Sequence, residues 1–232
     1  MLNLTYPGSR RNPGFFICDF LSAAADGQRA YLGYHFEPSG DAAAMEKIVK
    51  EVLFSENRIK KRIAEMVKRI DKDFVGKELV VIAVLKGSVV FLADLVRGFS
   101  QPLAFDFIGV SSYGNSTSSL GVVTLEKGIT VDVRDKSVLV VDDILDTGRS
   151  LTFIKNYLQR FNPREIKICV LLEKRGTRVM DVTADYVGFE IPNVFVLGYG
   201  LDFGDRYRHL PYIASLKEEY YRDLKAREIS PV

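Results

Sequence analysis

The chain has 232 residues, 47% of them hydrophobic, which suits one large domain, or a core with an appendage, and supplies apolar material for a sizeable interior. Lys plus Arg number 32 against 30 Asp plus Glu, a formal charge of +2, too balanced for bulk attraction to nucleic acid or a membrane surface. No apolar run reaches the ~18 residues of a membrane span, and the N-terminus lacks the basic-then-apolar order of a secretory signal. Residues 1–18 are basic and acid-free, but the amphipathic helical pattern of an organellar leader is missing. The two cysteines, Cys18 and Cys169, suggest neither a disulfide framework nor a metal cluster. A reducing, cytoplasmic setting is the expectation.

Residues 1–44 carry Gly, Pro, Ser and Ala without sustained periodicity (TYPGSRRNPG, PSGDAAA) and read as an irregular appendage. From Ser55, a good cap, Ile59, Ile63, Met66, Val67, Ile70 and Phe74 recur at helical spacing, predicting an amphipathic helix to about Phe74. ELVVIAVL (78–85) is apolar throughout, fit for a central parallel strand, and VVFLADLVRGF after KGS reads as a second helix. The strand PLAFDFIGV, the polar stretch SSYGNSTSS and the strand LGVVTLEKG follow. Then come SVLVVDDI (strand), RSLTFIKNYLQRF (helix), EIKICVLLEK (strand), ADYVGFEI and VFVLGYGL (strands), and a C-terminal helix from about Ser215. Apolar strands alternating with helices predict an α/β fold with a mostly parallel central sheet and helices on both faces. Ligands of such sheets bind beyond the carboxyl ends of the strands.

The stretch VVDDILDTGRSL (140–151) sits at such an end. Its strand delivers Asp142 and Asp143 to the sheet edge, and ILDTG leads into a helix beginning near Arg149. A helix N-terminus preceded by a glycine that admits close backbone approach is an anion site. Thr147 and Ser150 add hydroxyl donors, so phosphate is the expected occupant, although the GxxxxGK[ST] pattern is absent. Adjacent strand residues point to opposite faces, so the acid pair reads as holding sugar hydroxyls, or a hydrated Mg²⁺, from two sides. Helix capping plus solvated charge is the bland alternative for either acid alone.

This stretch resembles the phosphoribosyl diphosphate signature of the type I phosphoribosyltransferases. AVLKGS (83–88), SSYGNSTS (111–118), LLEKRGTR (171–178), VGFEIPNVFVLGYGLDF (187–203) and YRHLPYI (207–213) occur in the order and spacing of hypoxanthine-guanine phosphoribosyltransferases. The resemblance covers roughly residues 50–217. It implies residues 50–232 as a transferase domain, with a small hood built from terminal segments, and 1–49 as an appendage whose role is open. The implied reaction joins hypoxanthine and/or guanine to the phosphoribosyl group of 5-phosphoribosyl diphosphate, with Mg²⁺ as cofactor and release of diphosphate.

Bond breaking at the anomeric carbon puts positive charge on the ribose, so acids and metal belong on the sugar side and cations on the diphosphate side. The resemblance therefore assigns Asp142 and Asp143 to the ribose hydroxyls and Mg²⁺. Asp146 becomes the catalytic base near purine N7, its bland alternative being an N-cap of the following helix. Thr147, Gly148, Arg149 and Ser150 surround the 5-phosphate. Lys86 and Gly87 face diphosphate, with a cis peptide at the lysine, and Arg208 reaches the same group. Lys174 donates to the purine 6-oxygen, Phe195 stacks on the base, and Val196 offers its backbone to the base edge. Spacing alone makes Phe195 plain core. Asp202, in the purine pocket, orders a second Mg²⁺ through water, and Asp205 stands where many relatives have glutamate. SSYGNSTSSLG reads as a closing lid, Ser112 and Tyr113 meeting diphosphate. His35 and His209 show no ligand spacing and read as solvent-side.

The expected partners are small molecules and further copies of the chain, as a homodimer or homotetramer, with no nucleic acid and no membrane. Two rival readings share the fold: a phosphoribosyl diphosphate-sensing regulator that binds nucleic acid, and a transferase for orotate, uracil or adenine. The absence of a basic stripe, together with Asp146 and Lys174, disfavours the first, and Lys174 with VFVLGYGLD disfavours the second.

Overall fold

A computed structural model describes residues 47–113 and 122–221. Nine strands and three helices alternate: β1 (Val49–Phe54), α1 (Glu56–Asp73), β2 (Leu79–Leu85), α2 (Val89–Val96), β3 (Ala104–Tyr113), β4 (Val122–Lys127), β5 (Ser137–Leu145), α3 (Arg149–Gln159), β6 (Glu165–Lys174), β7 (Tyr186–Ile191), β8 (Val196–Leu197) and β9 (Ile213–Leu216). Six strands form the main sheet in the order β4-β3-β2-β5-β6-β7. All neighbours run parallel except β3 and β4.

Alternation along the strands splits the core into two layers. Leu79, Val81, Ala83, Leu139, Val141, Cys169 and Leu171 face α1 and α2. Val80, Ile82, Val138, Val140, Ile168 and Val170 face Leu151, Ile154 and Leu158 of α3. Strands buried on both faces are why β2, β5 and β6 read as unbroken apolar runs, and each fully buried aliphatic side chain contributes about 1.5 to 3 kcal/mol. The α1 helix follows its periodicity: Ile59, Ile63, Met66, Val67 and Ile70 are buried, and Ser55 is the N-cap residue, although its hydroxyl makes no capping bond. Burial pushes the Cys169 thiol up, as expected of an inert core cysteine.

A three-stranded hood, β1-β9-β8, stands beside the main sheet. It corrects two sequence expectations. At the expected start of the helix, Ser215 and Leu216 instead end strand β9, whose four residues are all buried, followed by a short 3-10 helix at Glu218–Tyr220; the rest of the expected helix, from residue 222, lies outside the described residues. Here β9 completes a ladder between β1 and β8, and two-sided pairing outweighs the local helical preference of SLKEEY. VFVLGYGL is a strand only at Val196–Leu197. The chain then turns through Gly198, Tyr199 and Gly200, all at positive φ, which a strand cannot sustain.

The appendage expected at 1–44 and the tip of the expected lid, residues 114–121, lie outside the described residues. The flanks of the lid are described: β3 and β4 pair from Gly109↔Lys127 to Tyr113↔Val122. Asp106 of β3 anchors this hairpin. Its carboxylate accepts from the N–H groups of Phe107, Thr130 and Val131, the Thr130 hydroxyl and Lys127 Nζ. Although burial opposes it, this donor set holds the Asp106 carboxyl well below the usual range.

Candidate active site

The carboxyl ends of β2, β5 and β6 and the hood turn after β8 bring most of the candidate residues together. Toward its carboxyl end β5 carries Asp142, buried at 7% exposure, and Asp143 beside it. Asp142 Oδ1 accepts the Asp143 N–H at 3.0 Å. Burial first, then the neighbouring Asp143 charge, pushes the Asp142 carboxyl well up, and burial also raises Asp143 against the opposing field of Arg208. Two adjacent carboxyls with no ion-pair partner among the described residues are poised for a hydroxyl donor or a divalent ion. Among the described residues no group of three or more His, Cys, Asp or Glu side chains converges on a metal position. An ion there needs oxygens from a ligand.

Gly87 follows the Leu85–Lys86 peptide, which is cis as expected, and packs directly on the acid pair. A Cβ on Gly87 would lie 1.6 Å from Asp143 Oδ2, and one on Gly200 2.1 Å from the Gly87 carbonyl oxygen. The missing Cβ of Gly87 leaves room for the Asp143 carboxylate, and that of Gly200, at φ +97°, lets the hood turn sit on the backbone of the β2 loop. Tyr199, just before Gly200, donates its hydroxyl to Asp94 of α2.

Across this seam stand Lys86, Asp202, Asp205 and Arg208. Arg208 donates to the Gly200 carbonyl at 2.7 Å and pairs with Asp202 at 2.7 Å, while Asp202 Oδ2 accepts the Asp205 N–H at 2.9 Å. Asp205 lies 3.5 Å from both Lys86 Nζ and Arg208, and Lys86 chiefly holds its carboxyl below the ordinary value. The cations expected for diphosphate and the acid expected for a second metal therefore balance one another. His209 is exposed, as read from the sequence.

The loop between β5 and α3 holds the remaining groups. Gly148, at φ +84°, is the N-cap residue of α3, so Asp146 is two residues outside the helix and is not its cap. Instead Lys174, the last residue of β6, donates Nζ to Asp146 Oδ2 at 2.8 Å, with 13% of the Lys174 side chain exposed. Parallel pairing of Leu145 with Glu173 puts the two strand ends level, which makes this contact available. Thr147 is exposed, Arg149 and Ser150 are half-buried, and the first-turn amides of α3 have no intrahelical partner. The loop is shaped to receive an anion.

Phe195 and Val196 are set in the hood. The half-buried Phe195 ring stacks on Tyr221 with centroids 5.6 Å apart and meets Phe203 edge-on. Ser112 and Tyr113 end β3 opposite Val123 and Val122; their side chains lie outside the described residues. Sequence reasoning missed the support residues Asp94, Tyr199 and Gly200. Only the GYG triplet signalled them, as two glycines inside an apolar run.

A parallel sheet carrying an acid pair and a phosphate-type loop at its carboxyl edge defines a class of nucleotide- and sugar phosphate-handling α/β proteins. The chain belongs to the phosphoribosyl transferase family, matching the phosphoribosyl transferase domain over residues 51–204. A hypoxanthine-guanine phosphoribosyltransferase of Mycobacterium tuberculosis is 43% identical over 180 residues, 75% of this chain and 89% of that protein. The crystal structure of a hypoxanthine phosphoribosyltransferase from Staphylococcus aureus is 42% identical, with a TM-score of 0.73 over 77% of this chain and 97% of that one. The bifunctional protein TilS/HprT of Listeria monocytogenes is 37% identical over 196 residues, 84% of this chain but 30% of that protein's length.

Proposed function

We propose that the protein transfers the phosphoribosyl group of 5-phosphoribosyl diphosphate to hypoxanthine and/or guanine, giving IMP and/or GMP and diphosphate. The carrying observation is the pairing of Lys174 with Asp146 at 2.8 Å beside a phosphate-type loop. It places a hydrogen-bond donor without acceptor capacity and a proton acceptor side by side, as the 6-oxygen and N7 of an oxopurine require. The family and the 6-oxopurine transferases among its relatives support the same reading.

In the reaction the bond from the anomeric carbon to diphosphate breaks and a bond to the purine ring nitrogen forms. Thr147, Gly148, Arg149 and Ser150 hold the 5-phosphate with the α3 amides. Asp142 and Asp143 engage the ribose hydroxyls and keep negative charge near the oxocarbenium-like centre. Lys86, Gly87 and Arg208 receive the departing diphosphate. Lys174 releases Asp146 to donate to the 6-oxygen, and Asp146 takes up the proton that the purine loses.

The enclosed acid pair fits Mg²⁺, which Asp142 and Asp143 would hold together with substrate oxygens and Asp202 would approach through water. The ion supplies charge neutralisation on the diphosphate. We further infer a homodimer or homotetramer, a cytoplasmic setting, and a transferase domain over 50–232 with residues 1–49 as an appendage. Among the described residues no helix is long and apolar enough to cross a membrane.

Incubation of the protein with 5-phosphoribosyl diphosphate, Mg²⁺ and each of hypoxanthine, guanine, xanthine and adenine tests the reading. Nucleotide formation from hypoxanthine or guanine is expected. Absence of turnover, with tight phosphoribosyl diphosphate binding and a gel shift of nucleic acid, would identify a regulator on the same fold instead.

A further inference from the structure

LLEKRGTR contributes Lys174 to the site, and its other charged residues are placed with equal care. Glu173 precedes Lys174 at the end of β6, and Arg178 lies in the turn beyond. Arg178 Nη2 donates to Glu173 Oε1 at 2.6 Å, and Nη1 donates to the Val182 carbonyl at 2.7 Å. The planar fork of arginine lets one side chain serve a carboxylate and a carbonyl at once. Its stem passes against the phosphate-type turn: a Cβ on Gly148 would lie 3.1 Å from Arg178 Cδ and 2.6 Å from Val182 Cγ1. The backbone closes the same contact, since the N–H groups of Val179 and Met180 both donate to the Thr147 carbonyl, at 3.0 and 3.1 Å.

Consecutive residues of β6 therefore grip one loop at two points. Lys174 holds Asp146 directly, and Glu173 holds Arg178 against Gly148. The Nε of Arg178 is buried with no hydrogen-bond partner among the described residues. We propose that Arg178 and Glu173 are a positioning pair: they set the shape of the 5-phosphate cradle at Thr147–Gly148 and tie it to the strand that reads the purine. Neither residue touches substrate in this arrangement. The inference rests on the transferase reading above.

The test uses Arg178→Gln, Arg178→Lys and Glu173→Gln in the full chain. KM is measured for 5-phosphoribosyl diphosphate and for hypoxanthine or guanine, and the affinities of IMP and inosine are compared by titration without turnover. In Arg178→Gln and Glu173→Gln the KM for 5-phosphoribosyl diphosphate rises by about tenfold or more, the purine KM stays within about twofold, and the preference for IMP over inosine falls in step. The double variant is no worse than either single one, because the two act as a unit, and Arg178→Lys is intermediate. Should Arg178→Gln fail to fold, Glu173→Gln decides, since it keeps the shape and removes the charge. Equal shifts in both KM values, or an unchanged IMP-to-inosine preference in the variants, would overturn the pair's role while leaving the site reading intact. A native protein without preference for IMP over inosine would overturn the site reading and the inference with it.

Discussion

Lys174 and Asp146, 28 residues apart in sequence, meet through a 2.8 Å bond from Nζ to Oδ2. The donor expected for the purine 6-oxygen and the acceptor expected for N7 thus satisfy each other before a base arrives. In the proposed reaction the purine parts them, and a ligand able to replace both contacts is selected over one that replaces a single contact. Because Gly148 is the N-cap of α3, substitution of Asp146 leaves the helix start unaltered. Asp146→Asn is expected to lower kcat by about a hundredfold or more, the scale of a lost general base, while Tm and affinity for 5-phosphoribosyl diphosphate stay close to native. Steady-state kinetics with a thermal melt checks both; an equally active variant would remove Asp146 from the base role.

In the proposed reaction Lys174 also governs substrate choice. Its ammonium bonds a 6-oxygen but meets the 6-amino group of adenine donor to donor, and sites built for a hydrogen bond reject an analogue lacking it by about 10⁴. Negligible use of adenine is the expected outcome. Lys174→Gln, whose amide accepts as well as donates, should cut kcat/KM for hypoxanthine and guanine by roughly ten- to a hundredfold, the worth of a charged hydrogen bond, and narrow the gap to adenine. Adenine turnover by the native protein within about tenfold of hypoxanthine would defeat the oxopurine reading.

Asp142 and Asp143 separate function from stability. Burial raises both carboxyls, and the Asp143 charge adds to the effect at Asp142, so at neutral pH their ionisation costs folding free energy. The Asp142→Asn, Asp143→Asn double variant retains an Oδ1 acceptor for the Asp143 N–H. It is expected to melt at or above the native temperature and to lose transfer activity by at least about a hundredfold. Undiminished turnover would refute their assignment to the ribose and Mg²⁺.

Asp106 works in the opposite direction. Its carboxyl is depressed by the donors around it, so its contribution to stability is fully present above the unfolded value of about 3.9 and is lost as pH falls through the lower folded value. Asp106→Asn should destabilise the protein by about 2 to 4 kcal/mol at pH 7. That deficit should shrink as pH drops below about 4, where the carboxyl takes up protons in the unfolded chain while the native carboxylate stays ionised. Urea titrations of both proteins at several pH values measure this; a deficit independent of pH would show that shape rather than charge anchors the β3–β4 hairpin.

Much of this architecture is written locally. The runs of β2, β5 and β6 are apolar because both faces are covered, and α1 is amphipathic because one face is; either pattern is visible within a few residues. The DDILDTGRS loop is equally legible, since a glycine-led helix start and a strand-end acid pair are short-range features. What the sequence concealed depends on partners far along the chain. β1, only partly buried with three of six residues exposed, offers no clean period, and it is a strand because Val49 to Phe54 pair with Leu216 to Ile213. Ser215 and Leu216 lose their expected helical form to the same ladder. The contacts that shape the site arise the same way, among them Asp146 with Lys174, Gly87 with Gly200, and Arg178 beneath Gly148. Parallel register brings the ends of β5 and β6 level, and the missing Cβ of Gly200 lets the hood turn rest on the β2 loop. A chain specifies its periods residue by residue, but which strand ends stand side by side is settled only when the sheet closes.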